Sequence, residues 1–189
     1  IGIVTNISGA HLEGFGSIAN IRKEKKSIFN HSKKGYYGDE IETSVTLSNH
    51  PLANNKVFLK NASIAYEVCK EFMGKNNEEE LSQIIEDFVL PKGRGQVYSL
   101  SRGIVLIDDT YNANPESVKV AIDNLAKHQT NGRRIFIFGD MKELGENEID
   151  FHKEIADYCE GKIDGIICYG GLAKNTFNNS KSIPLSLHF

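Results

Sequence analysis

The chain has few cysteines, little excess charge and no long apolar run, and each shortage removes a class of protein. Cys69, Cys159 and Cys168 are odd in number and stand in no CxxC or CxxH spacing. They make neither a disulfide frame nor a zinc site, and they read as reduced, mostly buried thiols of a cytoplasmic protein. The net charge is −3 with acids and bases interspersed, which gives no reason to expect a nucleic-acid or membrane-surface partner. The longest apolar stretches, such as Ile135-Phe-Ile-Phe138, are far too short to cross a bilayer. No charged segment followed by an apolar one opens the chain, so no secretion signal is expected. Two nucleotide motifs are missing as well: G-x-x-x-x-G-K-[ST], and G-x-G-x-x-G after a strand. Their absence argues against a free-standing dinucleotide oxidoreductase and leaves the sequence without a phosphate loop.

What is present suffices for one good core or two modest ones, at 189 residues and 40% hydrophobic. The chain opens inside an apolar run, Ile1 to Thr5, and stops at Ser186-Leu-His-Phe189 in what reads as the end of a strand, so a piece of a longer protein is expected. Ser17 is a good N-cap for a helix from Ile18 to Phe29, on which Ile18, Ile21, Lys25 and Ile28 recur along one face. Lys23 and Lys26 fall off that face. Lys25 is then either a buried amine, neutral and available for chemistry, or a lysine snorkelling along an apolar stripe. Ile41 to Leu47 alternates like a half-exposed strand. Asn61 is placed to cap a helix from Ala62 to Met73 with Ile64, Ala65, Val68, Cys69 and Phe72 inward, ended by Gly74. Asn77, with Glu80 as capping-box partner, starts another helix lined by Leu81, Ile84, Ile85 and Phe88.

From about Gln96 the rhythm changes. Short strands at Gln96–Leu100 and Ile104–Ile107 flank a Ser-Arg-Gly turn, and Asn114-Pro115-Glu116 opens a helix to about Lys127. A buried strand at Arg134–Phe138, a helix at Phe151–Cys159 and strands at Gly165–Tyr169 and Ile183–Leu187 follow. This alternation predicts an α/β fold with a mainly parallel sheet covered on both faces, in two units divided near residues 95 to 102.

Asp108-Asp-Thr-Tyr-Asn-Ala-Asn-Pro115 lies between a strand end and a helix start, where open α/β sheets bind ligands. Capping explains Asn114 and Pro115 well, and Asp108, Asp109, Tyr111 and Asn112 less well. Gly139-Asp-Met-Lys-Glu-Leu-Gly145 follows the next strand in the same way, with His152 soon after. Either Asp140, Glu143 and the imidazole contact a polar substrate, or Gly139 and Gly145 are turn residues and His152 lies on a helix surface. Arg94, between two glycines, suits a polyphosphate.

Three blocks together resemble the Mur ligases of peptidoglycan synthesis, and among them the members that attach D-alanyl-D-alanine to UDP-N-acetylmuramoyl-tripeptide. They are Thr5-Asn-Ile-Ser-Gly-Ala-His-Leu-Glu-Gly-Phe-Gly-Ser17 with Lys25, Ile107-Asp-Asp-Thr-Tyr-Asn-Ala-Asn-Pro115, and Phe138-Gly-Asp-Met-Lys-Glu-Leu-Gly145 with His152. The similarity is weakest between Asn30 and Lys60. The resemblance implies that residues 1–95 are part of a central ATP-binding domain and 96–189 a truncated Rossmann-like C-terminal domain. It implies a cytoplasmic, monomeric ATP- and Mg²⁺-dependent ligase: ATP phosphorylates the tripeptide carboxylate, and the D-alanyl-D-alanine amine attacks the acyl phosphate. His11 then matches a magnesium ligand and Lys25 the lysine carbamylated by CO₂ that binds the same metal. Asn61 matches the residue at adenine, Arg94 the one at the ATP phosphates, and Asp109 the one on the ribose-phosphate side. Tyr111, Asn112 and Asn114 match positions near nucleotide and substrate. His152 is structural or substrate-adjacent. The phosphate loop, the UDP-sugar domain, several central strands and the closing C-terminal helix of the family have no counterpart in the sequence. Two alternatives stand beside this reading. One is a folylpolyglutamate synthase-like ligase, which the Tyr-Asn-Ala-Asn-Pro block disfavours. The other is a non-catalytic ligase-like module, against which the retention of His11, Lys25, Arg94 and Asp109 argues.

Overall fold

A computed structural model of the chain describes residues 1–7, 12–50, 52–53, 55–73 and 77–189. The fold is mixed α/β, with parallel sheets, in two compact units. One comprises Ile1–Ile7 and Arg22–Asp109, the other Ser8–Ile21 and Thr110–Phe189. No helix among the described residues is long and apolar enough to cross a membrane.

In the first unit, β1 (Gly2–Val4) pairs in parallel with β2 (Gly35–Tyr37). Parallel pairing needs a long crossover, and the chain between the two strands carries the helices α1 (Leu12–Phe15) and α2 (Ile18–Lys26). Val4, Tyr37, Ile64, Val68 and Leu81 are buried in this unit. Arg22 Nη1 donates to the Tyr37 hydroxyl at 3.3 Å, and the Lys26 ammonium lies 4.1 Å from the centre of the same ring.

Four sequence expectations about α3 and α4 are corrected by the structure. The helix α3 runs Lys56–Met73, so Asn61 sits inside it and not at its cap. Asn55 takes that place: its carbonyl accepts the Leu59 N–H and its Oδ1 accepts the Phe58 N–H at 3.0 Å. Ala62, Ser63, Ile64 and Val68 face inward, whereas Ala65, Cys69 and Phe72 are exposed; Gly74 lies outside the described residues. In α4 (Glu78–Glu86) no capping box forms, because the Asn77 amide donates instead to the Met73 carbonyl at 2.7 Å. Of its expected apolar lining only Leu81 is fully buried.

Residues 41–47 form no strand, and the backbone donors of Ser44 and Val45 at the middle of this stretch go to a side chain instead of a neighbouring strand. Ser63 Oγ, fully buried, accepts the Ser44 and Val45 N–H groups at 3.0 Å each while donating to Leu59 O at 2.8 Å. Farther along, the Glu86 carboxylate accepts from Asn49 N at 2.6 Å and Ser48 N at 3.2 Å; the Asn49 bond leads in holding its pKa below the ordinary carboxylate value. His50 closes the segment. Its Nδ1 accepts the Leu52 N–H, its Nε2 donates to Phe88 O at 2.9 Å, and its ring stacks on Phe58 at 4.6 Å. The unit ends in an antiparallel hairpin of β3 (Gln96–Ser99) and β4 (Val105–Asp108), as the Ser-Arg-Gly turn predicts.

In the second unit α5 (Pro115–Lys127) begins at the expected proline. Asn114 Oδ1 accepts the Ser117 N–H at 2.9 Å, and Ser117 Oγ accepts the Asn114 N–H at 3.0 Å, a complete capping box. Strands β5 (Ile135–Gly139), β6 (Gly165–Tyr169) and β7 (Leu185–His188) form a parallel sheet in the order β5-β6-β7, with α6 (Glu148–Cys159) and α7 (Ala173–Asn179) as crossovers. The sequence did not reveal α7, which is short and polar. The helices cover one face of this sheet, not both. Phe136, Phe138, Ile166 and Cys168 face them in the core with Val118, Ile122, Ile155 and Cys159, whereas Ile137 on the other side is 66% exposed. Right-handed crossovers between strands laid down in one direction place every helix on the same side.

Cys159 and Cys168 are fully buried, and burial pushes their thiols from an ordinary 9.0 up to about 12 and about 11. The folded form therefore keeps protons that the unfolded chain releases. This stabilisation is complete below pH 9 and lost as the pH climbs through the folded values. The urea midpoint is expected to fall between pH 9 and 11, and the Cys159→Ala/Cys168→Ala variant to show a flatter profile. A wild-type midpoint constant across that range would contradict the burial.

Candidate functional site

The β3–β4 register pairs Gln96 with Asp108, so the residues flanking the hairpin's open end come together. Gly95 N donates to Asp108 O at 2.7 Å and extends the ladder by one bond. Both glycines around Arg94 hold positive φ, +72° at Gly93 and +83° at Gly95, a backbone that suits glycine and kinks the chain on either side of the guanidinium. Arg94 and Asp109 then lie close enough to interact. Partial desolvation of the Asp109 carboxyl raises its pKa, the Arg94 charge pulls it back, and Asp108 pushes it up further. The residue as a whole is nevertheless exposed, so a ligand can reach it. Replacing Arg94 with methionine is expected to move the Asp109 titration to higher pH, because the charge that lowers it is removed. The carboxyl carbon shift of Asp109 reads this directly, and a downward move would contradict the pairing.

The remaining predicted residues are spread out. Asn61 is exposed on α3. Lys25 lies on α2 (Ile18–Lys26), a helix begun as expected by Ser17, whose Oγ accepts the Asn20 N–H at 3.2 Å. The apolar stripe around Lys25 is corrected: only Ile21 is buried, and Ile18 and Ile28 are exposed. The helix gives way at Ser27 to a 3₁₀ turn, whose tighter winding carries Ile28 off the stripe. Lys25 itself is half-buried, and its Nζ donates to the Asn6 carbonyl at 3.3 Å. His11 lies outside the described residues. Tyr111 is exposed, Asn112 Oδ1 accepts the Ala113 N–H at 2.9 Å, and Asn114 caps α5. The capping explanation of Asn114 is therefore sufficient.

His152 is structural, and the reading that puts it on a helix surface is corrected. It is fully buried, its Nε2 accepts the Met141 N–H at 3.0 Å, and its Nδ1 donates to Glu148 O at 2.6 Å. Asp140 likewise turns inward: its Oδ1 accepts the Leu172 and Ala173 N–H groups. Sequence reading missed this because the partner helix, α7, was itself missed; the Gly170-Gly171 pair after β6 was the available signal. Among the described residues, no three His, Cys, Asp or Glu side chains stand together as a metal site.

Two family models cover nearly the whole chain. The Mur ligase middle domain matches residues 1–93, and the Mur ligase glutamate ligase domain matches residues 93–183. The chain belongs to the Mur ligase family. Among curated Mur ligases it is similar to the UDP-N-acetylmuramoyl-tripeptide–D-alanyl-D-alanine ligase of Haemophilus influenzae, 27% identical over 212 residues that cover 89% of this chain and 46% of that protein. The ligase of the same name from Bacillus subtilis is 26% identical over 209 residues, 90% of this chain and 46% of that protein. The chain thus spans about half the length of the curated Mur ligases it matches. Its fold matches that of the MurF ligase from Thermotoga maritima in complex with ADP, with a TM-score of 0.78 at 23% identity over 100% of this chain and 52% of that one. MurF from Acinetobacter baumannii gives the same TM-score at 22% identity, covering 98% of this chain and 49% of that one.

Proposed function

We propose that this chain is part of an ATP-dependent ligase that joins D-alanyl-D-alanine to UDP-N-acetylmuramoyl-tripeptide in cytoplasmic peptidoglycan precursor synthesis. The observation that carries the reading is the Arg94–Asp109 pair at the open end of the hairpin, in a chain whose relatives bear that name. Residues 1–95 belong to the central ATP-binding domain and 96–189 to the C-terminal domain of that enzyme.

In this reading the γ-phosphoryl group of ATP passes to the tripeptide carboxylate. The dipeptide amine then attacks the acyl carbon of the resulting acyl phosphate and expels inorganic phosphate. Arg94, a guanidinium on a glycine-kinked backbone, binds phosphate oxygens and offsets charge that builds during transfer. Asp109 accepts hydrogen bonds from the ribose-phosphate side; partial desolvation raises the pKa of its carboxyl, and the Arg94 charge beside it opposes that rise. Asn61 contacts adenine, while Tyr111 and Asn112 contribute near the nucleotide. Magnesium neutralises phosphate charge when bound, and His11 with a carbamate on Lys25 would contribute ligands.

The test is phosphate release by the complete natural protein. Release that requires ATP, the tripeptide nucleotide and D-alanyl-D-alanine together supports the reading, and release with glutamate in place of the dipeptide would assign it to a folylpolyglutamate synthase-like ligase. In the same assay Asp109→Asn is expected to raise KM for ATP about tenfold or more and to leave KM for the tripeptide nucleotide near wild type. An unchanged KM for ATP would remove Asp109 from the nucleotide site.

A further inference from the structure

One side chain ties together two loops at the carboxyl edge of the parallel sheet. Asp140, just after β5, accepts the Leu172 N–H at 3.0 Å and the Ala173 N–H at 2.8 Å through a single oxygen, Oδ1. These amides open α7, whose own cap position holds Leu172 and has no side-chain acceptor. A carboxylate from another loop therefore satisfies donors that the helix leaves open. Gly170 makes the approach possible. Its φ of +114° suits glycine, and a Cβ there would land on the Asp140 carboxylate. The far side of the turn is held too: His188 Nε2 lies 2.9 Å from Gly170 O, and Gly170 N donates to Phe189 O at 3.2 Å.

Beneath Asp140 the restraint continues. His152 receives the Met141 N–H, and the Thr176 hydroxyl on α7 donates to the His152 carbonyl at 2.7 Å. Asp140, α7, Thr176, His152 and Met141 thus form a closed ring of hydrogen bonds and covalent chain. Outside this ring, at the edge where open α/β sheets take their ligands, stand Gly139, Gly171 and Tyr169, all exposed.

We propose that Asp140 is a positioning residue: it locks the loop after β5 and the turn after β6 into one rigid rim, which presents Gly139, Tyr169 and Gly171 to substrate in fixed geometry. The kinetic part of this inference rests on the ligase reading above. Its structural part does not.

Two measurements separate them. In the 189-residue chain, Asp140→Ala is expected to lower hydrogen-exchange protection of the Leu172 and Ala173 amides about 10- to 100-fold. Asp140→Asn, whose carbonyl oxygen accepts the same two bonds, should retain most of that protection. Gly170→Ala should reproduce the local loss by displacing the carboxylate. Unchanged protection in Asp140→Ala overturns the lock, whatever the protein catalyses. In the complete natural protein, Asp140→Ala should raise KM for the tripeptide nucleotide or the dipeptide about tenfold, with kcat kept at saturation and rescue by Asp140→Asn. A fall in kcat with both KM values unchanged overturns the positioning role. Absence of ligation by the wild-type protein would instead overturn the ligase reading and leave the exchange result standing.

Discussion

Replacing Lys25 with alanine in the complete natural protein is expected to lower turnover at least about 100-fold, and added acetate or formate to restore part of it. The expectation follows from the chemistry of a carbamate. A lysine amine that takes up CO₂ becomes an anion with the shape of a carboxylate, and a small carboxylate diffusing into the gap left by alanine can take its place. The structure supplies a clear competitor. Lys25 Nζ donates to the Asn6 carbonyl at 3.3 Å, so its task can also be to hold the segment that follows β1. Lys25→Arg separates the two. Arginine retains a donor for Asn6 and forms no such carbamate, so its activity should be as low as that of alanine if the anion matters. An active Lys25→Arg enzyme, or an alanine variant indifferent to carboxylates, would leave only the hydrogen bond.

Replacing His152 with alanine is expected to destabilise the chain by about 3–5 kcal/mol, the largest effect anticipated for a single polar residue here. Three losses coincide at a position with no solvent access. The Met141 N–H loses its acceptor, Glu148 O loses its donor, and a ring-sized void opens beside Phe138, whose ring centre lies 5.7 Å from the imidazole. His152→Gln, which has one donor and one acceptor at comparable reach, should recover part of the loss. Urea unfolding of the 189-residue chain measures both variants. A cost below about 1 kcal/mol for alanine would mean that water takes over the two backbone groups.

The second unit was more legible in the sequence than the first, and the difference has a physical basis. Pro115 and Asn114 mark the start of α5 without ambiguity, because a proline at the first helical position and an Asn cap satisfy local geometry unaided. The strands β5 and β6 are near-continuous apolar runs that lie close to where their pattern places them, although Ile137 on the uncovered face of β5 is exposed. In the first unit the deciding bonds run between segments distant in sequence. Ser63 captures the backbone donors of Ser44 and Val45, and Glu86 those of Ser48 and Asn49, overriding an alternation that by itself suits a strand. Asn55 and Asn61 are both plausible caps, and only the partners of Phe58 N and Leu59 N decide between them.

The candidate site divides along the same line. Arg94 and Asp109 are separated by a hairpin whose Ser-Arg-Gly turn is readable, so their meeting follows from local rules. Asp140 is different. Its partners are the amides of Leu172 and Ala173, in a short polar helix that has no periodic signature. Periodicity could therefore place Asp140 at a ligand-binding edge and still miss that its carboxylate is directed at its own protein.

The order β5-β6-β7 has a consequence for how the second unit is made. β6 and β7 each pair with the strand immediately before them in the chain, and each connecting helix returns to the same face. Once β5 is in place, neither β6 nor β7 must wait for a later strand before it can dock. During synthesis the sheet can grow one βα step at a time as the nascent chain leaves the ribosome, each step burying part of the apolar surface that the previous one exposed. Assembly in the direction of translation keeps unpaired edges short-lived and limits the interval in which they could pair with another molecule.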